Sequence, residues 1–122
     1  MANIGGNIIG LVQAKTSTGK NEIGVAVNTW SEGISQKGWL GLQNGDSKRI
    51  NFDAKIEEST HVFLCDYNSS IYALAIPDEK GNVPDCRMII KSMMYDVLLI
   101  DNPDEMNEQL EIYLRKVGAF NG

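Results

Sequence analysis

Apolar and polar residues alternate with a period of two along most of this chain, the pattern of strands that bury one face. NIIGLVQAKT (7–16) alternates weakly and predicts a first strand, ended by the polar run TSTGKNE. IGVAVNTW (23–30) alternates more clearly, with Ile23, Val25 and Val27 on one face. The glycines and polar residues of SEGISQKG break the pattern, and WLGLQ (39–43) predicts a short strand stopped at Asn44-Gly45, a strong turn signal.

Residues 44–58 (NGDSKRINFDAKIEE) scatter Ile50, Phe52 and Ile56 among mixed charges, which predicts a long loop or a strand extension. STHVFLCDY (59–67) is the clearest strand. His61, Phe63, Cys65 and Tyr67 share one face, Val62 and Leu64 the other, and two largely apolar faces predict a central position. IYALAI (71–76) reads as a strand or a flap, and PDEKGNVPD (77–85), with two prolines and a glycine, as a loop. RMIIKSMMYDVLLIDN predicts a hairpin: Met88 to Lys91, a turn near Ser92-Met93, and Tyr95 to Ile100 returning.

The stretch DNPDEMNEQLEIYLRKVG (101–118) supports two readings. A helix places Pro103 near its start and Met106, Leu110, Leu114 and Val117 along one stripe, but turns Ile112 to the wrong side. A strand over 110–115 alternates cleanly, yet does not accommodate Pro103 and the acids before it. The tally is about six short strands joined by turns, an all-β, mainly antiparallel chain with the pattern of a small barrel or sandwich.

Composition narrows the function. The 122 residues suffice for one domain, 1–122, and a core of that size needs no metal or disulfide staple. The 12 glycines exceed the average of about 7% and agree with a loop-rich β chain. A net charge of −5 argues against a protein that holds nucleic acid by neutralising phosphates. MANIGGNIIGLV has no basic n-region and its apolar run is broken by Gly10, so no signal peptide is expected, and no stretch approaches a membrane span. Cys65 and Cys86 fit reduced thiols acting as small hydrophobes.

Motifs with chemistry fail on their spacing. TSTGKNE carries the Gly-Lys of a phosphate-binding loop, but that loop also needs glycine where Ala14 stands and Ser or Thr where Asn21 stands. The acids Asp101, Asp104, Glu105, Glu108 and Glu111 lack the alternate spacing of a calcium loop and read as solvated acids beside a helical turn. His61, the single histidine, lies about 13 Å along the strand from Cys65, too far for a nucleophile and base. It reads as structural. Asn68-Ser69-Ser70 matches the glycosylation sequon without a secretory context, and Trp30 and Trp39 read as core or subunit-contact residues. No catalytic residue, cofactor site or metal site is expected.

Three strings, NIGGNIIGLVQAKTSTGKNEIGVAVNTW, GWLGLQNGDSKRINFDAKIEESTHVFLCDY and RMIIKSMMYDVLLIDNPDEMNEQLEIYLRKVG, together resemble the head closure (head–tail joining, or head–tail connector) proteins of long-tailed phages and prophages of Gram-positive bacteria. The most specific pieces are DAKIEESTHVFLCDY and YDVLLIDNPDEMNEQLEIYL; residues 68–87 match no pattern of that family.

The resemblance implies a small SH3-like β-barrel of about six strands with long loops and one short helical turn before the C-terminal strand. It also implies a non-enzymatic virion protein: a homo-oligomeric ring under the portal and adaptor that seals the DNA-filled capsid and offers the tail its attachment surface, assembled in the host cytoplasm. A long loop after the second strand can project into the channel in that family, which here selects 44–58. Asp46, Lys48, Arg49, Phe52, Asp53, Lys55, Glu57 and Glu58 are the subunit and channel contacts so implied.

The mixed charges of that segment suit subunit registration, and an acidic protein lets DNA pass without adhesion. For 101–118 the resemblance favours a split: Asp101 or Asn102 caps one helical turn begun by Pro103, and the chain straightens into a final strand, Leu110 to Val117. Asp104, Glu105 and Met106 then form a docking corner on the barrel rim. The alternatives are a tail-completion or tail-terminator protein of the same joint, a small nucleic-acid-binding barrel, and a small hydrolase using His61 or Cys65.

Overall fold

A computed structural model describes residues 4–20, 22–24, 26–42 and 59–120. Among the described residues seven strands carry the alternation: β1 (Ile8–Lys20), β2 (Ala26–Trp30), β3 (Ile34–Leu42), β4 (His61–Asp66), β5 (Cys86–Ile90), β6 (Met93–Asp101) and β7 (Gln109–Ala119). Every pairing is antiparallel, and six strands close into a barrel in the order β1-β3-β4-β7-β6-β5, with β5 returning to β1 through Gly10↔Ile90 to Ala14↔Cys86. The expected small barrel is therefore present. Among the described residues no helix is long and apolar enough to cross a membrane.

The final segment takes the split form. Pro103–Glu105 is a 3-10 turn, and β7 follows with Leu110, Ile112 and Leu114 all fully buried. Strand β4 is central, between β3 and β7. Phe63 and Cys65 point into the core at 0% exposure, whereas Val62 and Leu64 are only half-buried. In a closed barrel the second face of a strand is the outer wall, so two apolar faces do not make two core layers.

The first strands differ from expectation. β1 runs on through the polar residues to Lys20, β2 begins only at Ala26, and β3 begins at Ile34, inside the segment read as a break. Ile23, expected on a strand face, lies in the connecting turn and is 83% exposed.

The reason is geometric. Past Ala14, β1 and β2 form a two-stranded ribbon, paired from Ser17↔Thr29 to Lys20↔Ala26, that leaves the barrel wall. Among the described residues no third strand pairs with this ribbon past Lys15, and Thr16 Oγ1 meets Thr29 Oγ1 across it at 3.0 Å. At its base, Ser31 N–H donates to the Ala14 carbonyl (2.8 Å) while Ala14 N–H donates to Ser31 Oγ (3.0 Å). Gly33, at φ +100°, then turns the chain into β3.

IYALAI is neither strand nor flap. Ser69–Tyr72 is a short helix, α1, continued by a 3-10 turn at Ala73–Ala75. Asn68 starts it: its Oδ1 accepts from Ser70 N–H (2.9 Å) and Ile71 N–H (3.4 Å), and its Nδ2 donates to Gln36 Oε1 (2.9 Å). The sequon asparagine is thus committed to the fold. The helix drives Ile71, fully buried, into one end of the barrel. After it, Asp78 Oδ1 gathers the backbone N–H groups of Lys80 and Asn82, both at 2.9 Å, to shape the expected loop.

The expected hairpin is β5–β6, with its two-residue turn at Lys91-Ser92, one residue earlier than predicted. Both residues have positive φ (49° and 64°), as a turn matched to strand twist requires, although neither is the Asn or Gly such positions favour. Ser92→Gly is expected to raise stability by about 0.5–1 kcal/mol, read from the urea midpoint, because the left-handed conformation then carries no Cβ penalty.

Cys65 and Cys86 are separate buried thiols. Burial first, and then the neighbouring Asp66 and Asp85 respectively, push them up to about 12 and about 11. Their folded values lie above the ordinary 9.0, so their contribution to stability is complete below pH 9 and is lost as pH rises toward 11–12. Thiol titration at pH 8 should accordingly find both unreactive in the native protein and both reactive in denaturant.

Candidate functional site

The eight residues expected to make subunit and channel contacts, Asp46, Lys48, Arg49, Phe52, Asp53, Lys55, Glu57 and Glu58, lie outside the described residues. The docking corner lies within them. It joins β6 to β7, with Asp104, Glu105 and Met106 all exposed, Met106 at 60%.

The corner is held by Asn102, which is 5% exposed. Asn102 was expected as a possible cap of the helical turn. Its side chain instead spans the corner: Oδ1 accepts from Asn107 N–H at 3.1 Å and Nδ2 donates to Asn107 Oδ1 at 2.8 Å. The turn itself is closed by Glu105 N–H on the Asn102 carbonyl (2.9 Å) and Met106 N–H on the Pro103 carbonyl (3.2 Å). Asp104, Glu105 and Asn107 all hold positive φ, at 53°, 53° and 57°. Left-handed non-glycine residues persist only where the surroundings over-determine them, and the Asn102 bridge supplies that constraint. The result is a rigid tip that presents one thioether among carboxylates.

The opposite end of the barrel is built differently. Ile8, Leu40, Ile90, Met93 and Tyr95, with Asn7 and Lys91, line an open cavity of about 340 Å³. Its apolar members belong to the core or pack against it, so the cavity is the barrel's mouth. His61 sits beside it, its ring edge-on to Tyr95 at 5.2 Å and its Nδ1 2.9 Å from Thr60 Oγ1. Partial burial, and then the charge of Lys116, lower its pKa. These contacts give His61 a packing role against Tyr95.

A second cluster lies where the ribbon leaves the wall. The Arg87 guanidinium rests 4.1 Å from the centre of the Trp30 ring and 5.2 Å from that of Phe120, and its Nε donates to Gln13 Oε1 at 2.8 Å. Lys15–Asp85 (3.3 Å) and Arg115–Asp96 (3.0 Å) are exposed ion pairs close by. Trp30 and Trp39 are therefore not core residues. Trp30 stacks on Arg87, and Trp39, 45% exposed, donates its indole N–H to the Ile4 carbonyl at 2.9 Å.

Among the described residues no group of three or more metal-ligating side chains exists. The mouth and the Arg87 stack were missed from sequence because each joins residues from distant strands. The pairs Gln13–Arg87 and Ile8–Leu40 leave no mark on local periodicity.

A comparison with protein-family models matches no family, and a search of curated proteins gives no match.

Proposed function

We propose that this chain is a structural subunit of the phage head–tail joint, a head closure protein that forms a ring beneath the portal and adaptor, seals the filled capsid and receives the tail. The observation that carries this reading is where the family-like strings fall. DAKIEESTHVFLCDY contains β4, and YDVLLIDNPDEMNEQLEIYL supplies most of β6, the corner and the first half of β7. These are the strings most specific to the resemblance, and they form three neighbouring strands of the barrel, β4-β7-β6, together with its rigid exposed corner.

The chemistry of the chain agrees with an assembly role. Its described side chains are arranged for contact: an apolar mouth, an acidic tip bearing Met106, and a cation stacked between aromatics. The net charge of −5 lets phosphates pass a channel wall without counterion-driven adhesion, and weighs against a nucleic-acid-binding barrel.

Electron microscopy of particles assembled without the protein tests the reading. Full heads that leak DNA are the expected result. Stable heads beside overlong tails would instead assign the chain to tail termination, and normal virions would overturn both.

A further inference from the structure

The two ends of the barrel are unlike and complementary. At one end the mouth is open, lined by Ile8, Leu40, Ile90, Met93 and Tyr95. Among the described residues, Lys91, exposed in the β5–β6 turn, belongs to its lining, and Lys116, exposed on β7 where it pairs with Tyr95, stands beside it. The acid on the adjoining outer wall, Asp96, is already bound by Arg115 at 3.0 Å. At the other end Met106 stands 60% exposed between Asp104, Glu105 and Glu108, all exposed and none in an ion pair among the described residues.

One molecule cannot bring the two together. β6 alone runs from Met93 at the mouth to Asp101 at the corner, nine residues or ~30 Å of strand.

Size and charge match across that distance. A dry cavity of roughly 150 Å³ holds a benzene-sized group, so about 340 Å³ admits an unbranched methionine side chain with space to adapt. The mouth leaves Ile8, Leu40 and Met93 partly exposed above the buried Ile90 and Tyr95, and covering them is favourable in proportion to the apolar area removed. Carboxylates around the incoming thioether meet lysines around the mouth, which fixes orientation and register.

We propose that the mouth of the barrel is the docking site for the Met106 corner of a second copy of this chain, with the thioether in the cavity and Asp104 and Glu105 against Lys91 and Lys116. The contact joins different patches on the two partners. It is heterologous, so repetition gives a ring where the rotation closes and a filament where it does not. It deepens the proposed function, resting on it only in that this contact builds the ring.

Sedimentation velocity of the full-length protein tests it, with circular dichroism confirming that each variant is folded. Concentration-dependent species beyond a dimer are expected, and they should weaken as salt is raised. Met106→Ala should weaken association at least about tenfold.

Charge reversal gives the sharper test. A mouth variant, Lys91→Glu with Lys116→Glu, and a corner variant, Asp104→Lys with Glu105→Lys, should each stay monomeric alone. Mixed, they should assemble, because each mouth then faces a corner of opposite sign. The proposal is overturned if the wild-type chain is monomeric up to about 1 mM, if it forms only a discrete dimer, if Met106→Ala changes nothing, or if the mixed variants stay apart. The readout uses purified protein and the test of the joint uses particles, so either can fail while the other stands.

Discussion

An Ile71→Ala variant is expected to lose about 2–5 kcal/mol of stability, measured by urea unfolding. Ile71 is fully buried and is the single side chain of α1 that enters the core. Its side chain closes the end of the barrel opposite the mouth, and Tyr67, Tyr72, Leu74 and Ala75 pack around the same core. Removing three carbons there loses their transfer energy and leaves a cavity that a barrel wall, pinned by its ladders, collapses into poorly. A domain of this kind has roughly 5–15 kcal/mol in total, so the loss takes a large fraction of it. A loss below about 1 kcal/mol would show that the helix is an ornament on the barrel and not its plug.

Gly38→Ala is the second large effect, a loss of about 1–3 kcal/mol. A Cβ at Gly38 would lie 2.5 Å from the Leu64 carbonyl oxygen and 2.6 Å from the edge of the Phe63 ring. The first obstacle is backbone and the second is a fully buried aromatic, so neither yields cheaply. The backbone of Gly6 also crosses close against Gly38. Combining Gly38→Ala with Phe63→Leu separates the two obstacles. If the ring is the main one, the double variant should lose less than the sum of the singles.

Much of this fold is legible in the sequence, for reasons that particular residues make clear. Leu110, Ile112 and Leu114 alternate with polar residues and line one side of β7. The Phe63–Cys65 face was readable for the same reason: in each case a strand has one core face. The β1–β2 ribbon was misread because β1 continues through the polar residues 16–20, whose sequence carries no alternation. IYALAI is apolar on all sides, and its helix depends on a cap at Asn68 that is anchored in turn by Gln36, 32 positions away.

The turn between β6 and β7 was readable because Pro103 and the acids after it are local signals. Its stiffness was not, since that comes from one buried asparagine bonding another five residues on. The mouth is assembled from β1, β3, β5 and β6, and only the closed barrel brings those strands to one place.

The pairing order has a consequence for how the chain reaches its native state. β7, the last strand in the sequence, is an interior stave, hydrogen-bonded on one side to β4 and on the other to β6. Until it inserts, both neighbours present open edges, and the seam between residues 10–14 and 86–90 must also close across most of the chain. Folding should therefore be late and non-local, on the order of milliseconds to seconds, with little structure gained before the final strand is available. A chain so wired passes from open sheet to finished barrel at its last strand, and until then it holds neither a complete mouth nor a fixed corner to offer a neighbour.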